Sequence, residues 1–312
     1  MKSEEVMRIL ENAIRIGKGV IRYGSVASYI PELAKADKNK LGICLYTIDG
    51  NQFETGNTED RFTIQSISKV MALCLALETF GAEFVFEHVG VEPSGEAFNS
   101  LVELDNRSNR PFNPMINSGA ITVASLLVNH YSIEDMQKYM QDVCEDPEIA
   151  VDEAVFQSEM ATCARNKAIA YLLKSKEIID TDVEDSVTFY TKMCSMSVNA
   201  RDLAMFGLLL ANDGVQLSTG KRLISSQTVR MVQTIMLTCG MYDGSGEFAL
   251  RTGIPTKSGV GGGLLSVSKK KMGIGIYGPS LDKKGTVSQA ANCWDIFQKH
   301  CIFTSLIPES GR

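Results

Sequence analysis

Between Glu4 and Ile21 the apolar residues Val6, Ile9, Leu10, Ala13, Ile14, Ile16 and Val20 recur at helical spacing, which places them on one stripe of an amphipathic helix. Such a stripe has to be covered, so the opening helix is expected to lie on a sheet. Residues 41–48 are short and apolar and end at Asp49-Gly50, a pair suited to a hairpin turn, with 52–55 reading as the returning strand. From Ser66 to about Met236 the period becomes helical, over residues 66–79, 118–129, 133–143, 153–173, 185–196, 201–211 and 226–236. After Pro255 the pattern returns to short β-branched and Gly-rich runs, 259–268 and 272–277, separated by a Lys-rich turn, and 288–300 is again helical. These runs predict an α+β fold in which an antiparallel sheet is assembled from both chain ends around an inserted helical block. The cleft of such a fold lies between sheet and helices.

Composition narrows the function classes. The chain has 312 residues, 44% of them hydrophobic, enough for one large domain over residues 1–312, with an α/β part from 1–65 and about 240–312 and a helical part of about 66–239. A net charge of -6 with both signs mixed offers no basic field, so nucleic acid is not expected as a partner. No apolar run approaches the roughly 18 to 20 residues of a membrane span, and the chain opens on a charged helix rather than a signal peptide; a cytoplasmic protein is expected. Eight cysteines (Cys44, Cys74, Cys144, Cys163, Cys194, Cys239, Cys293 and Cys301) are scattered among apolar neighbours, without a C-x-x-C pair or a histidine at metal-binding distance. They read as reduced core residues, and no metal site is expected.

Chemistry concentrates at Ser66-Ile67-Ser68-Lys69, which opens the segment Val70 to Leu77, apolar on nearly every side, with Lys69 its only charge. Burial there disfavours an ammonium and lowers its pKa, so the amine becomes a usable base. Ser66 and Lys69 are three apart and share a helix face, so the amine can reach the hydroxyl while the helix N-terminus favours negative charge near Ser66. The same spacing also suits an N-capping serine beside a snorkelling lysine. Lys257-Ser258-Gly259-Val260-Gly261-Gly262-Gly263 supplies a second element. It reads as the head of a strand on which glycines let a substrate carbonyl approach the backbone, or as an edge strand loosened for packing. Ser197-Val198-Asn199 matches the Ser-x-Asn of serine acyl-transferases but stands at a helix boundary, where it serves equally as a cap. His88, in a predicted loop, and His130 and His300, at helix ends, read as dipole partners rather than catalysts.

The segment Phe62 to Val70 resembles the nucleophile segment of the serine-dependent glutaminases, and the resemblance continues along nearly the whole chain. Asn113-Pro114-Met115-Ile116-Asn117-Ser118-Gly119-Ala120, Glu159 through Asn166 to Ala170, Cys239 to Gly246 and Lys257 to Gly263 are all similar to motifs of that family, in the same order. The resemblance implies the penicillin-recognising serine-transferase fold, like that of β-lactamases and transpeptidases. It also implies hydrolysis of L-glutamine to L-glutamate and ammonia without metal or organic cofactor, and a homotetramer or dimer. Residue by residue it implies Ser66 as nucleophile, Lys69 as base, and the N–H groups of Ser66 and Val260 as oxyanion hole, with Tyr29 and Tyr242 completing the proton network. Asn117, Glu159, Asn166 and Tyr190 would hold the amino acid end, Glu159 accepting its ammonium and amide and phenol donors its carboxylate. Glu159 and Asn166, seven apart in a predicted continuous helix, would share one face. Met160-Ala161-Thr162-Cys163-Ala164-Arg165 departs from the more polar, Gly- or Asp-containing run expected there, which bears on binding strength.

Two other readings use the same motifs. A penicillin-binding peptidase or β-lactamase shares the S-x-x-K and K-[ST]-G logic, but acts outside the inner membrane and has no need of Glu159 for a free ammonium. A binding protein that keeps the cleft and has lost the chemistry is opposed by intact Ser66, Lys69 and Lys257.

Overall fold

A computed structural model describes residues 2–95, 98–100, 110–282 and 284–287. Five strands, β1 (Gly42–Thr47), β2 (Gln52–Gly56), β5 (Thr256–Ser258), β6 (Gly263–Ser268) and β7 (Met272–Tyr277), form an antiparallel sheet in the order β2-β1-β7-β6-β5. The sheet is thus built from both chain ends, with β1 from the N-terminal part paired directly to β7 in register Gly42↔Tyr277 through Thr47↔Met272. A separate two-stranded ladder joins β3 (Phe62–Thr63) to β4 (Ser197–Val198).

The period of two along each strand divides the core. Ile43 and Leu45 of β1, Leu264 of β6, and Met272, Ile274 and Ile276 of β7 face one side, where they pack with Val6, Ile9, Leu10, Ala13 and Ile14 of helix α1 (Ser3–Val20). The expected sheet beneath the opening helix is there. Cys44, Leu265, Val267 and Tyr277 face the other side and join the core of the helical block. That block comprises α2 (Ser68–Phe80), α3 (Ala82–His88), α4 (Asn117–Leu127), α5 (Ile133–Cys144), α6 (Glu153–Thr162), α7 (Ala164–Ser175), α8 (Val183–Cys194), α9 (Ala200–Ala211) and α10 (Ser226–Cys239). A short α11 (Ser245–Thr252) leads back to the sheet.

The residues of β7 between its large apolar ones are Gly273 and Gly275, and α9 lies flush against them. A Cβ on Gly275 would stand 1.9 Å from the Ala200 carbonyl oxygen, and one on Gly273 would stand 2.0 Å from the Leu208 nitrogen. Gly207 answers from the helix, where a Cβ would come within 2.8 Å of the Ser266 carbonyl oxygen. Backbone therefore rests on backbone along this seam, and a methyl group would have to prise the helix off the sheet. Gly275→Ala is expected to destabilise the fold by about 3 kcal/mol, the upper part of the usual overpacking range. An unchanged denaturant midpoint would show that the seam can open at no cost.

Three local expectations need correction. The helix anticipated over 153–173 is two helices, α6 and α7, broken at Cys163, whose backbone (φ -80°, ψ 11°) leaves the helical region while its thiol donates to the Met160 carbonyl at 2.9 Å. Glu159 and Asn166 therefore do not share one helix face. The strand expected over 259–268 begins only at Gly263, because Gly259 to Gly262 form a turn in which Gly262 has φ +97°, a conformation that favours glycine. Lys257 and Ser258 belong to β5, ahead of that turn. His88 ends α3 rather than lying in a loop. The predicted final helix 288–300, with Cys293, Cys301 and His300, lies outside the described residues. The other six cysteines are free and buried. Among the described residues no helix is long and apolar enough to cross a membrane.

Candidate active site

Ser66 sits where β3 turns into α2. Gln65, immediately before it, adopts φ +48°, left-handed and unusual for a residue with a side chain, and a short 3-10 turn (Gln65–Ile67) carries the chain into the helix. The buried Gln65 amide donates to Thr63 Oγ1 at 3.3 Å and to Glu159 Oε2 at 3.2 Å, which holds the bend in place.

Lys69, in the first turn of α2, is wholly buried. Loss of hydration pushes its ammonium down to about 8, with Cys194 and Glu159 pulling it part of the way back. Its Nζ donates to Asn117 Oδ1 at 2.7 Å and to the Met115 carbonyl at 3.1 Å, and neither bond goes to Ser66. A neutral amine has two N–H groups and one lone pair. With both hydrogens directed at Asn117 and Met115, the lone pair is what remains to accept a proton.

The Tyr242 phenol is hydrogen-bonded to Ser66 and donates to the Ser258 carbonyl at 3.1 Å. Since a phenol has a single proton and this one points at Ser258, Ser66 is the donor in the Ser66–Tyr242 bond. Burial raises the phenol, and the bond from Ser66 lowers it in part. Tyr242 also has a left-handed backbone, φ +55°, so Ser66 lies between two residues held in uncommon conformations. Behind Tyr242 lies Lys257, fully buried, its Nζ donating to the same Ser258 carbonyl at 2.5 Å and standing 4.3 Å from the Tyr242 ring centroid. Burial, reinforced by the nearby Lys69, holds the Lys257 ammonium well below its usual range.

Ser66, Asn117, Glu159, Asn166, Tyr190 and Tyr29, drawn from six separate stretches of chain, line one cavity of about 80 Å³. Asn117 organises its polar side. Its Oδ1 accepts from Lys69 and, at 3.4 Å, from the Tyr190 hydroxyl, while its Nδ2 donates to Asn166 Oδ1 at 2.9 Å. With its Oδ1 accepting from Asn117, Asn166 is left with its own N–H groups for a ligand. Glu159 is 7% exposed and accepts from Gln65; burial lifts its carboxyl to about 7, against the lowering effects of Gln65 and Lys69. A carboxylate so placed is an acceptor for a cation. Tyr29 differs from the others: 54% of its surface is open, although burial of its hydroxyl end and the charge of Glu159 raise its phenol.

Val260 stands on the turn between β5 and β6. The bonds within that turn run from Gly259 N–H to the Gly263 carbonyl and from Gly262 N–H to the Gly259 carbonyl, and the Val260 N–H takes no part in them. Gly259 and Gly261 pack against the Ile64 and Thr63 carbonyls, where a Cβ would stand 2.7 and 2.2 Å away, so the turn is locked to the segment that delivers Ser66. Ser197-Val198-Asn199 is accounted for by structure: Ser197 and Val198 are β4, and Asn199 caps α9 by accepting from the Arg201 and Asp202 N–H groups at 2.8 and 3.0 Å.

Two participants, Gln65 and Phe98, were not singled out from the sequence. Gln65 owes its position to a backbone angle, Phe98 reaches the cavity from far along the chain and packs at 4.9 Å between ring centroids on Tyr242, and Lys257 was visible only as part of a motif. Phe98 is held by its carbonyl, which accepts the Asn117 N–H at 2.8 Å. In the departing run 160–165, Arg165 donates to the Asn99 carbonyl at 2.9 Å, and Thr162 and Cys163 border the cavity.

The chain is similar to known glutaminases. The family model described as Glutaminase matches residues 24–303. Glutaminase 2 of Clostridium perfringens is 48% identical over 280 residues, spanning 88% of this chain and 92% of its own, and the glutaminase of Alkaliphilus oremlandii is 47% identical over the same shares. Among solved structures, the Bacillus subtilis glutaminase in covalent complex with 5-oxo-L-norleucine, formed by reaction with 6-diazo-5-oxo-L-norleucine, superposes with a TM-score of 0.85 at 33% identity, over 94% of this chain and 97% of its own. With a family model matched over residues 24–303 and a relative 48% identical across 88% of its length, the chain belongs to the glutaminase family.

Proposed function

We propose that the cavity binds L-glutamine with its ammonium on Glu159, its α-carboxylate on the Asn166 amide and on the Tyr190 phenol, whose single proton turns from Asn117 to the carboxylate, and its γ-amide carbon at Ser66. Asn117 holds both carboxylate ligands in place. Ser66 Oγ attacks the γ-carbonyl carbon, its proton passing to the Lys69 lone pair one helical turn away, while the Ser66 and Val260 N–H groups face the developing oxyanion. The bonds that Lys69 makes in the free site tighten toward Ser66 once substrate is bound, as catalytic hydrogen bonds commonly do. Lys69 then returns the proton to the departing nitrogen, ammonia leaves, and water releases glutamate from the γ-glutamyl ester on Ser66. Tyr242 accepts from Ser66 and keeps Oγ aimed at the cavity. Tyr29 closes the open side, and Lys257, its charged form disfavoured by burial and by Lys69, donates to the Ser258 carbonyl that also accepts from Tyr242.

Glu159 carries this reading: this buried carboxyl accepts from the neutral Gln65 amide, Arg165 at the cavity wall donates to the Asn99 carbonyl, and a free amino acid brings an ammonium. The test is ammonia release by purified protein from glutamine, with asparagine and a penicillin-type ester as controls. Glu159→Gln should raise the barrier for glutamine by about 2–4 kcal/mol, roughly 30- to 700-fold in kcat/KM. A glutamine analogue without the α-amino group should show little difference between variant and wild type, because the contact is already missing. Equal losses on both substrates would mean that Glu159 supports the fold rather than the ammonium.

We further infer a cytoplasmic protein acting as a single domain over residues 1–312 and assembling as a homotetramer or dimer. The family likeness supports the assembly, and light scattering on the purified chain measures it.

A further inference from the structure

Glu159 and Asn166 border the same cavity from opposite sides of the helix break at Cys163. In an uninterrupted helix seven residues rise about 10.5 Å, and both side chains would lean toward the N-terminus, so the two groups would run side by side without converging. The ammonium nitrogen and carboxylate carbon of an amino acid are bonded to one Cα and stand only about 2.5 Å apart. Even with a hydrogen bond of about 2.9 Å at each end, one amino acid falls short of two holders on a straight helix. Nothing in the composition of residues 160–165 compels a break: Met160, Ala161, Ala164 and Arg165 are good helix formers, and neither glycine nor proline is present.

Two side chains make it. Thr162 Oγ1 donates back to the Ser158 and Glu159 carbonyls, at 3.2 Å each, and the Cys163 thiol donates to the Met160 carbonyl at 2.9 Å. A hydroxyl bonded back one turn upstream bends a helix. In a continuous helix the Glu159 carbonyl would accept from the Cys163 N–H, which here turns to the Met160 carbonyl at 3.5 Å. Carbonyls opened at the end of α6 are thus taken over by its last side chains, and α7 starts afresh with the Lys167 N–H on the Cys163 carbonyl at 3.0 Å. We propose that Thr162 and Cys163 are positioning residues for glutamine: by fixing this break they bring the ammonium holder Glu159 and the carboxylate holder Asn166 onto one α-amino acid. The proposal deepens the preceding reading and rests on its assignment of those two holders. The γ-amide lies at Ser66, on another element, so loosening the break weakens the grip on the amino acid end and leaves the chemical step intact.

The experiment measures KM and kcat of the full chain for L-glutamine and for its analogue without the α-amino group, which uses the carboxylate holders alone. Thr162→Val keeps the β-branched shape and Cys163→Ala a small apolar side chain, and together they remove both donors. The double variant should raise KM for glutamine about tenfold or more with kcat within about twofold of wild type, while kcat/KM for the analogue stays within about twofold. The ratio of the two efficiencies should therefore fall about tenfold. Thr162→Ser and Cys163→Ser, which keep a donor at each position, should keep the wild-type ratio. Equal losses on both substrates would mean that the two side chains support the fold and not the spacing, and would overturn the proposal. Wild-type constants on both substrates would overturn it as well. Should the double variant fail to fold, Cys163→Ala set against Cys163→Ser decides, and the same ratio in both would count against the proposal in the same way. A wild-type ratio in Glu159→Gln would instead remove the ammonium assignment itself, and the proposal with it.

Discussion

Ser66→Ala is expected to lower glutamine turnover by at least three powers of ten while leaving the fold and the affinity for glutamate nearly intact. The size of the effect follows from the role. A group that forms the covalent intermediate has no substitute in the site, and losing it normally costs several powers of ten. The variant's geometry should survive, because the left-handed turn at Gln65 is held by the Gln65 side chain on Thr63 and Glu159 and not by the serine hydroxyl. Reaction with 6-diazo-5-oxo-L-norleucine gives an independent readout: the wild-type chain should gain one adduct on the peptide containing Ser66, and the variant none. A variant that keeps more than about a tenth of wild-type turnover would exclude Ser66 as nucleophile.

Lys69→Arg should be equally inactive, for a different reason. An arginine can still donate to Asn117 and the Met115 carbonyl, but it does not give up its proton at accessible pH and offers no lone pair. In the wild-type chain the sign of the pH dependence is set by two groups. Lys69, lowered to about 8, must be deprotonated to act as base, and Glu159, raised to about 7, must be ionised to hold the ammonium. Both requirements are met on the alkaline side, so kcat/KM should climb from pH 6 to pH 9, more steeply below 7 than above. Removing the carboxylate requirement with Glu159→Gln should leave only the limb near 8. An active Lys69→Arg variant with an inactive Lys257→Arg variant would transfer the base to Lys257, which reaches Ser66 by way of Ser258 and Tyr242.

What could be read from the chain alone was whatever rests on periodicity and local chemistry. The short apolar run of β1, the Gly-rich and β-branched run of β7 and the uninterrupted apolar character of α2 identify a sheet at the ends and a buried helix carrying one lysine, because burial imposes those patterns directly. The split between α6 and α7 was not legible, since residues 160–165 contain neither glycine nor proline and the break falls at Cys163, whose thiol turns back to the Met160 carbonyl. The partners of Lys69 were equally hidden. Asn117 is 48 positions away, and only the packing of α4 beside α2 brings its amide to the amine. The Lys257 motif signalled a glycine-lined backbone, but not that the glycines form a turn fitted to the carbonyls of Thr63 and Ile64. Spacing conveys what one element will do with its own residues; the joints between elements depend on shapes that no single segment encodes.

The pairing of β1 with β7 also constrains when the protein can come into being. Tyr277 lies about 235 positions beyond its partner Gly42, and at the ribosome's pace of some 5–20 residues per second roughly ten to fifty seconds separate their emergence. During that interval β1 has one strand neighbour in place of two, and Ser66, Asn117 and Asn166 are translated before the glycine turn at residues 259–262. A chain interrupted before β7 would hold most of the reactive groups and no means of aligning them, so ammonia production begins only with a nearly finished polypeptide.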